Sequence, residues 1–209
     1  SQDDAFLEDY AFLIAALIDL YQITFNVRYL QIAEKYTDDV LSYFFDAETG
    51  LFFFTDARQS DVVLRKKDLY DNATPSGNST MALNLQRLGI LADRREWRET
   101  ASDMLLTLRE TVERYPLSFE RWATAMMNEV YPLHEIAVVG DNGEEKALAI
   151  QKQFLPNKVI AATRYPNDDL PLLAGKPGNP EALVYVCRDF TCRRPVSDLD
   201  EFRQIVQPE

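Results

Sequence analysis

A repeat constrains this chain more than any other feature. Leu13, Leu17, Leu20, Tyr29 and Ala33 recur 68 positions later as Met81, Leu85, Leu88, Trp97 and Ala101. Each set spreads over two segments whose apolar residues return with helical period, so the repeating unit is a pair of helices. The pattern predicts helices over about 6–24, 27–45, 76–91 and 94–115, and a fifth over about 118–131 that ends at Pro132. A helical hairpin cannot bury its apolar face alone and stacks on its neighbours. Two and a half hairpins make a small array, or part of a closed ring of hairpins. The first helix is apolar nearly all round, as a helix buried on most sides would be.

The period changes at His134. "EIAVVG" is a short β-branched run, "EEKALAIQKQFL" reads as a helix and "NKVIAATR" as a second strand, which together make a βαβ unit. A loop rich in Pro, Gly and Asn leads to a third strand, "ALVYVC", and a last helix begins near Ser197, with Ser197 and Asp200 spaced as a cap. The fold expected is therefore mainly α, with hairpins over 1–133, followed by a small α/β subdomain over 134–209.

Composition excludes more than it selects. With 34 acidic and 22 basic residues the net charge is −12, which disfavours nucleic acid and anionic membrane as partners. No apolar run is long enough to span a bilayer. Two cysteines do not make a disulfide scaffold, and a cytoplasmic protein is expected. The chain opens on "SQDDA", acidic and without Met, and reads as a fragment of something longer.

Four motifs in order, "LEDYAFLIAALIDLYQ" (7–22), "PSGNS" (75–79), "FLPNKV" (154–159) and "YVCRDFTCRRPV" (185–196), resemble a thioredoxin-domain-containing family whose animal members are called spermatogenesis-associated. The resemblance implies an N-terminal thioredoxin-like domain missing from this chain. It also implies an α/α toroid of hairpins similar to N-acylglucosamine 2-epimerases and six-hairpin glycosidases. It carries over no settled activity.

The richest connector is "YDNATPSGNSTM", residues 70–81. The repeat aligns Asp9 with Gly77 and Tyr10 with Asn78, so "LEDY" and "DNATPSGNS" fall at one end of equivalent helices, the mouth of a toroid. Two carboxylates at such a mouth suit acid–base work on a sugar, and Asp9 and Asp71 are the pair expected, with Glu8 in reserve. Asn72, Ser76 and Asn78 are candidates for substrate hydroxyls, Tyr10 for stacking and Arg65 or Lys67 for an anionic group. The same residue types also serve simply to cap helices and stitch loops.

Elsewhere the signals are thin. The one histidine, His134, reads as structural. Cys187 and Cys192 form C-x4-C, open to readings as structural thiols or as a disulfide or redox pair; zinc lacks further ligands. "VVGDNGEE" has no phosphate-binding glycine pattern, and no cofactor or metal is expected. Two functions remain in view: a toroid that binds or acts on a carbohydrate-like small molecule, and a non-catalytic binding or scaffold module serving the thioredoxin-like domain. As a fragment with an incomplete ring, the chain is expected to form a homodimer through its uncovered first helix.

Overall fold

The computed structural model describes residues 5–60, 62–189 and 191–206. The acidic start (1–4) and Phe190 of the fourth motif lie outside these residues.

Among the described residues, five α-helices precede His134: α1 (Leu7–Thr24), α2 (Val27–Tyr43), α3 (Gly77–Leu91), α4 (Arg95–Arg114) and α5 (Glu120–Val130). α1 pairs with α2, and α3 with α4, as hairpins. The turns are tight because Phe25 and Asp93 adopt left-handed backbone angles, at φ 54° and 49°. Asn26 caps α2 by accepting the Arg28 amide at 3.1 Å.

α1, α3 and α5 run side by side and parallel. The first turns of α1 and α3 touch so closely that a Cβ on Gly77 would lie 2.8 Å from Leu7 Cγ, which is why glycine stands there. Further along, Asn84 Nδ2 donates to Ala11 O at 2.8 Å, and Arg87 pairs with Asp19. On the other flank, Arg121 and Trp122 near the start of α5 sit beside the loop that enters α3. Gln86, deeper in α3, donates to Ala125 O at 3.0 Å and to Glu129 at 2.8 Å. The central helix, α3, is therefore buried almost all round, and its side chains from Gly77 to Gln86 are all covered.

α1 is buried on one side only. Ile14, Leu17, Ile18 and Tyr21 are buried, but Phe12, Leu13, Leu20 and Ile23 are exposed. α2 and α3 cover one side of α1 and leave a stripe open on the other.

Between the hairpins, β1 (Phe45–Asp46) and β2 (Leu51–Phe52) form a minimal antiparallel ladder, turned at Gly50 with φ 71°. From Phe53 to Ser76 the chain has no helix or strand among its described residues. Scattered backbone hydrogen bonds, such as Phe54 N–H to Lys66 O at 2.7 Å, and side chains hold it. Arg65 donates to the Tyr43 and Thr55 carbonyls, and Lys67 pairs with Asp46 at 2.6 Å.

After α5 come β3 (His134–Val139), α6 (Gly143–Gln151), β4 (Lys158–Thr163), β5 (Leu183–Arg188), β6 (Thr191–Cys192) and α7 (Leu199–Val206). The sheet order is β4-β3-β5-β6, with β3 and β4 parallel and the β5 and β6 pairings antiparallel. β3 is buried at every position, as a central strand with both faces covered must be. Its Ala137 and Val139 face the helical hairpins, while Ile136 and Val138 pack with Ala147, Ile150, Phe202 and Val206 of α6 and α7. Gly140 ends the strand at φ 146°, where a Cβ would meet Asn179 O at 2.4 Å.

One detail changes the sequence reading and another decides between its alternatives. The last helix is capped by Asp198, whose Oδ1 accepts the Asp200 and Glu201 amides at 2.8 and 3.0 Å, and not by Ser197. Cys187 and Cys192 face each other in register across β5 and β6 and are joined as a disulfide, the second of the two readings left open for them.

Candidate functional site

The parallel helices α1, α3 and α5 give the molecule two ends of different character. At their N-terminal end stand the residues predicted for the mouth. Asp9, in the first turn of α1, accepts the Phe6 amide at 2.8 Å. Asp71 is buried, and both of its oxygens are taken. Oδ1 accepts the Ser76 amide at 2.9 Å and the Ser79 hydroxyl at 2.6 Å. Oδ2 accepts the Arg121 amide at 2.9 Å and the Trp122 amide at 3.4 Å. One carboxylate thus ties together the entries of α3 and α5. Its own backbone amide donates to Ser118 O at 2.8 Å, and Trp122 Nε1 donates to Leu69 O at 2.9 Å.

The neighbouring polar residues are committed in the same way. Ser76 accepts the Ser79 amide at 3.1 Å. Asn78, fully buried, exchanges two hydrogen bonds with the backbone of Phe52 and donates a third to Asp68 O, so it substitutes for a missing strand. Tyr10 packs edge-on against Tyr36 and Phe44 instead of presenting a face to solvent. Arg65 is spent on carbonyls, with its guanidinium over the Phe53 ring. Asn72 is exposed, its amide donating to Thr74 O at 3.0 Å. Glu8 is half-buried, and its carboxyl is pushed above the usual range by burial first and then by Asp68 and Asp9. The structure brings Glu8, Asp9 and the entry of α3 to one end, and stitches that end shut with most of the groups predicted to serve a substrate.

The opposite end, where the sheet packs on the helices, holds two clefts. One of about 590 Å³ lies between α3, α4, α5 and β3, with Arg98, Glu99, Glu129 and Glu135 on its walls. The other, about 540 Å³, opens between α1, α3, α5 and β4. Ile23, Leu83, Leu133 and Pro156 give it an apolar lining, and Arg87, Arg121 and Lys158 enter it from three separate elements, with Asp19 at the edge. Burial, then the charge of Arg87, lowers the proton affinity of Lys158. The same two causes, in the same order, lower that of Arg121, against the opposing pull of Asp71 and Asp19. Sequence reasoning missed this group because its members are 34 and 37 residues apart. The one available signal was Arg87, a charge in a helix otherwise buried nearly all round.

A third, small pocket borders the disulfide, walled by His134, Arg188 and Arg193. The His134 imidazole is held below its ordinary value by burial and then by the two arginines. Among the described residues no three His, Cys, Asp or Glu side chains stand together as a metal site, and no helix is long and apolar enough to cross a membrane.

The fold and these clefts define a class: mainly α, with stacked helical hairpins whose helices α1, α3 and α5 run parallel, and an appended small mixed α/β unit. No protein-family model matches the chain. It is similar to human spermatogenesis-associated protein 20, at 30% identity over 214 aligned positions, covering 97% of this chain and 27% of that protein. The rat protein of the same name is 30% identical over 212 positions, with 96% and 27% covered. An uncharacterized protein of Caenorhabditis elegans is 28% identical over 211 positions, with 96% and 28% covered. The chain therefore spans about a quarter of the length of the curated relatives it matches.

Proposed function

We propose that this chain is part of a hairpin toroid that works as a binding or scaffold module, serving a thioredoxin-like domain carried elsewhere in the longer protein, rather than as an acid–base catalyst at its N-terminal mouth. The observation behind this is Asp71. A general base must be free to take a proton from substrate, whereas this carboxylate accepts three backbone amides and a hydroxyl. The parallel inner helices α1, α3 and α5 support the toroid.

Glu8 supports a second reading, in which a carbohydrate-like ligand is processed at the mouth. Burial and two neighbouring carboxylates favour its protonated form, which suits a general acid.

One experiment separates them. The chain is assayed against a panel of chromogenic glycosides alongside Asp71→Asn and Glu8→Gln, and all three are melted. The scaffold reading expects no turnover and a lowered melting temperature for Asp71→Asn alone. Turnover that Glu8→Gln abolishes without loss of fold would establish the second reading instead.

A further inference from the structure

We propose that the cleft between α1, α3, α5 and β4 is an oxyanion-binding site, taking the phosphate or carboxylate group of a small organic molecule through Arg87, Arg121 and Lys158. Three cations converge on this one cleft in a chain of net charge −12. They come from α3, α5 and the start of β4, so no single helix pattern explains their meeting. Like charges brought together and partly desolvated repel unless something compensates them. Among the described residues Asp19, paired with Arg87, is the one acid lining the cleft, and it offsets one of the three.

Arg121 is the clearest sign of a missing partner. Its backbone amide is bound to Asp71, but its Nε is buried and has no hydrogen-bond partner among the described residues. A guanidinium carries five donors in a fixed fork that suits a two-oxygen acceptor, and a buried donor left unmade is costly. Lys158 gives one proton to Leu155 O at 2.9 Å, which leaves two for a ligand. An oxyanion between Arg121 and Lys158 would satisfy both and relieve their repulsion from Arg87. The apolar lining from Ile23, Leu83, Leu133 and Pro156 fits a ligand whose body is less polar than its charged group.

The test is a titration of the 209-residue chain with inorganic phosphate and, separately, with succinate, at constant ionic strength held with chloride. Binding is read from the arginine Nε–H and backbone amide NMR signals. The expected result is a saturable shift of the Arg121 Nε–H signal and of amides in α5 and β4, with one probe preferred, which assigns the group as phosphate or carboxylate. Arg121→Gln and Lys158→Gln should each weaken binding about tenfold or more, as loss of a charged hydrogen bond implies. Arg109→Gln, on the exposed face of α4, should leave it unchanged. If Arg121→Gln does not fold, Lys158→Gln decides alone. Shifts that never saturate, equal responses to added chloride, or affinity unaltered in the variants would overturn the site.

Discussion

The side-chain oxygen of Gln22 accepts the backbone amide of Ile160 at 2.9 Å, joining the buried end of α1 to the edge strand of the sheet across 138 residues. An edge strand leaves every second N–H without a ladder partner, and here a helix side chain supplies one. Gln151 returns the contact by donating to Gln22 O at 3.3 Å. Gln22→Ala strips a buried donor of its acceptor and should lower stability by about 1–3 kcal/mol. Chemical denaturation would measure this. Hydrogen exchange should show the Ile160 amide losing protection before its neighbours in β4.

His134 makes a pH prediction with a definite sign. Its folded-state proton affinity is reduced by burial and by Arg188 and Arg193, and it is the chain's one histidine. Well above about pH 7.5 it is neutral in both states and contributes nothing to the slope. Below that, the unfolded chain takes up a proton that the folded chain resists, so stability falls with pH until the folded imidazole titrates. Glu8 and Glu34, whose carboxyls are raised chiefly by burial, act in the opposite sense at lower pH. The difference between wild type and His134→Gln isolates the histidine. Melting curves between about pH 7 and 5.5 should fall for wild type and flatten for the variant.

The Cys187–Cys192 bridge closes a loop of only 5 residues. Chain entropy for a loop that short predicts a stabilisation of about 2 kcal/mol, near the low end for disulfides. Reduced protein should therefore remain folded, with its denaturation midpoint moved down accordingly. Exchange should rise first around β6, which pairs with nothing but β5. Global unfolding on reduction would mean that the bridge holds more than its own hairpin.

The open stripe on α1 leads to a prediction about self-association. Leu13, Leu20 and Ile23 are 44%, 42% and 56% exposed, with Phe12 beside them, on one face of the helix. Contiguous apolar surface of this kind tends to find a partner. Two copies are expected to meet through α1, and Leu13→Lys with Leu20→Lys should restore the monomer. Sedimentation equilibrium would check both, and a concentration-independent monomer for wild type would count against the pairing.

The helices were legible because their apolar residues return with helical period over long stretches, and the βαβ unit because that period changes at His134. What the sequence hid was long-range. Asn78 looks like a cap residue and instead reaches across 26 residues to Phe52, filling in for a strand the chain lacks. Asp71 looks like half of a catalytic pair because residue type alone does not reveal that three amides will converge on it. Ser197 reads as the cap that Asp198 supplies because both types cap, and helix ends shift by a residue or two with the same local pattern. The exposed side of α1 was expected only from the incomplete ring, because an apolar stripe by itself looks the same whether covered or not.

The parallel run of α1, α3 and α5 has an electrical consequence. Peptide dipoles add along a helix to about half a positive charge at its start and half a negative charge at its end. Three aligned helices put like ends together, so their starts form one electropositive face and their ends one electronegative face. Glu8 and Asp9 on α1, Asp71 beside α3 and Glu120 on α5 all stand at the starts. The dipoles favour each carboxylate so placed by about 0.3–1 kcal/mol, which for Glu8 burial and its acidic neighbours outweigh. The gathering of acids at that end follows from helices that all point one way, whether or not any substrate ever visits it.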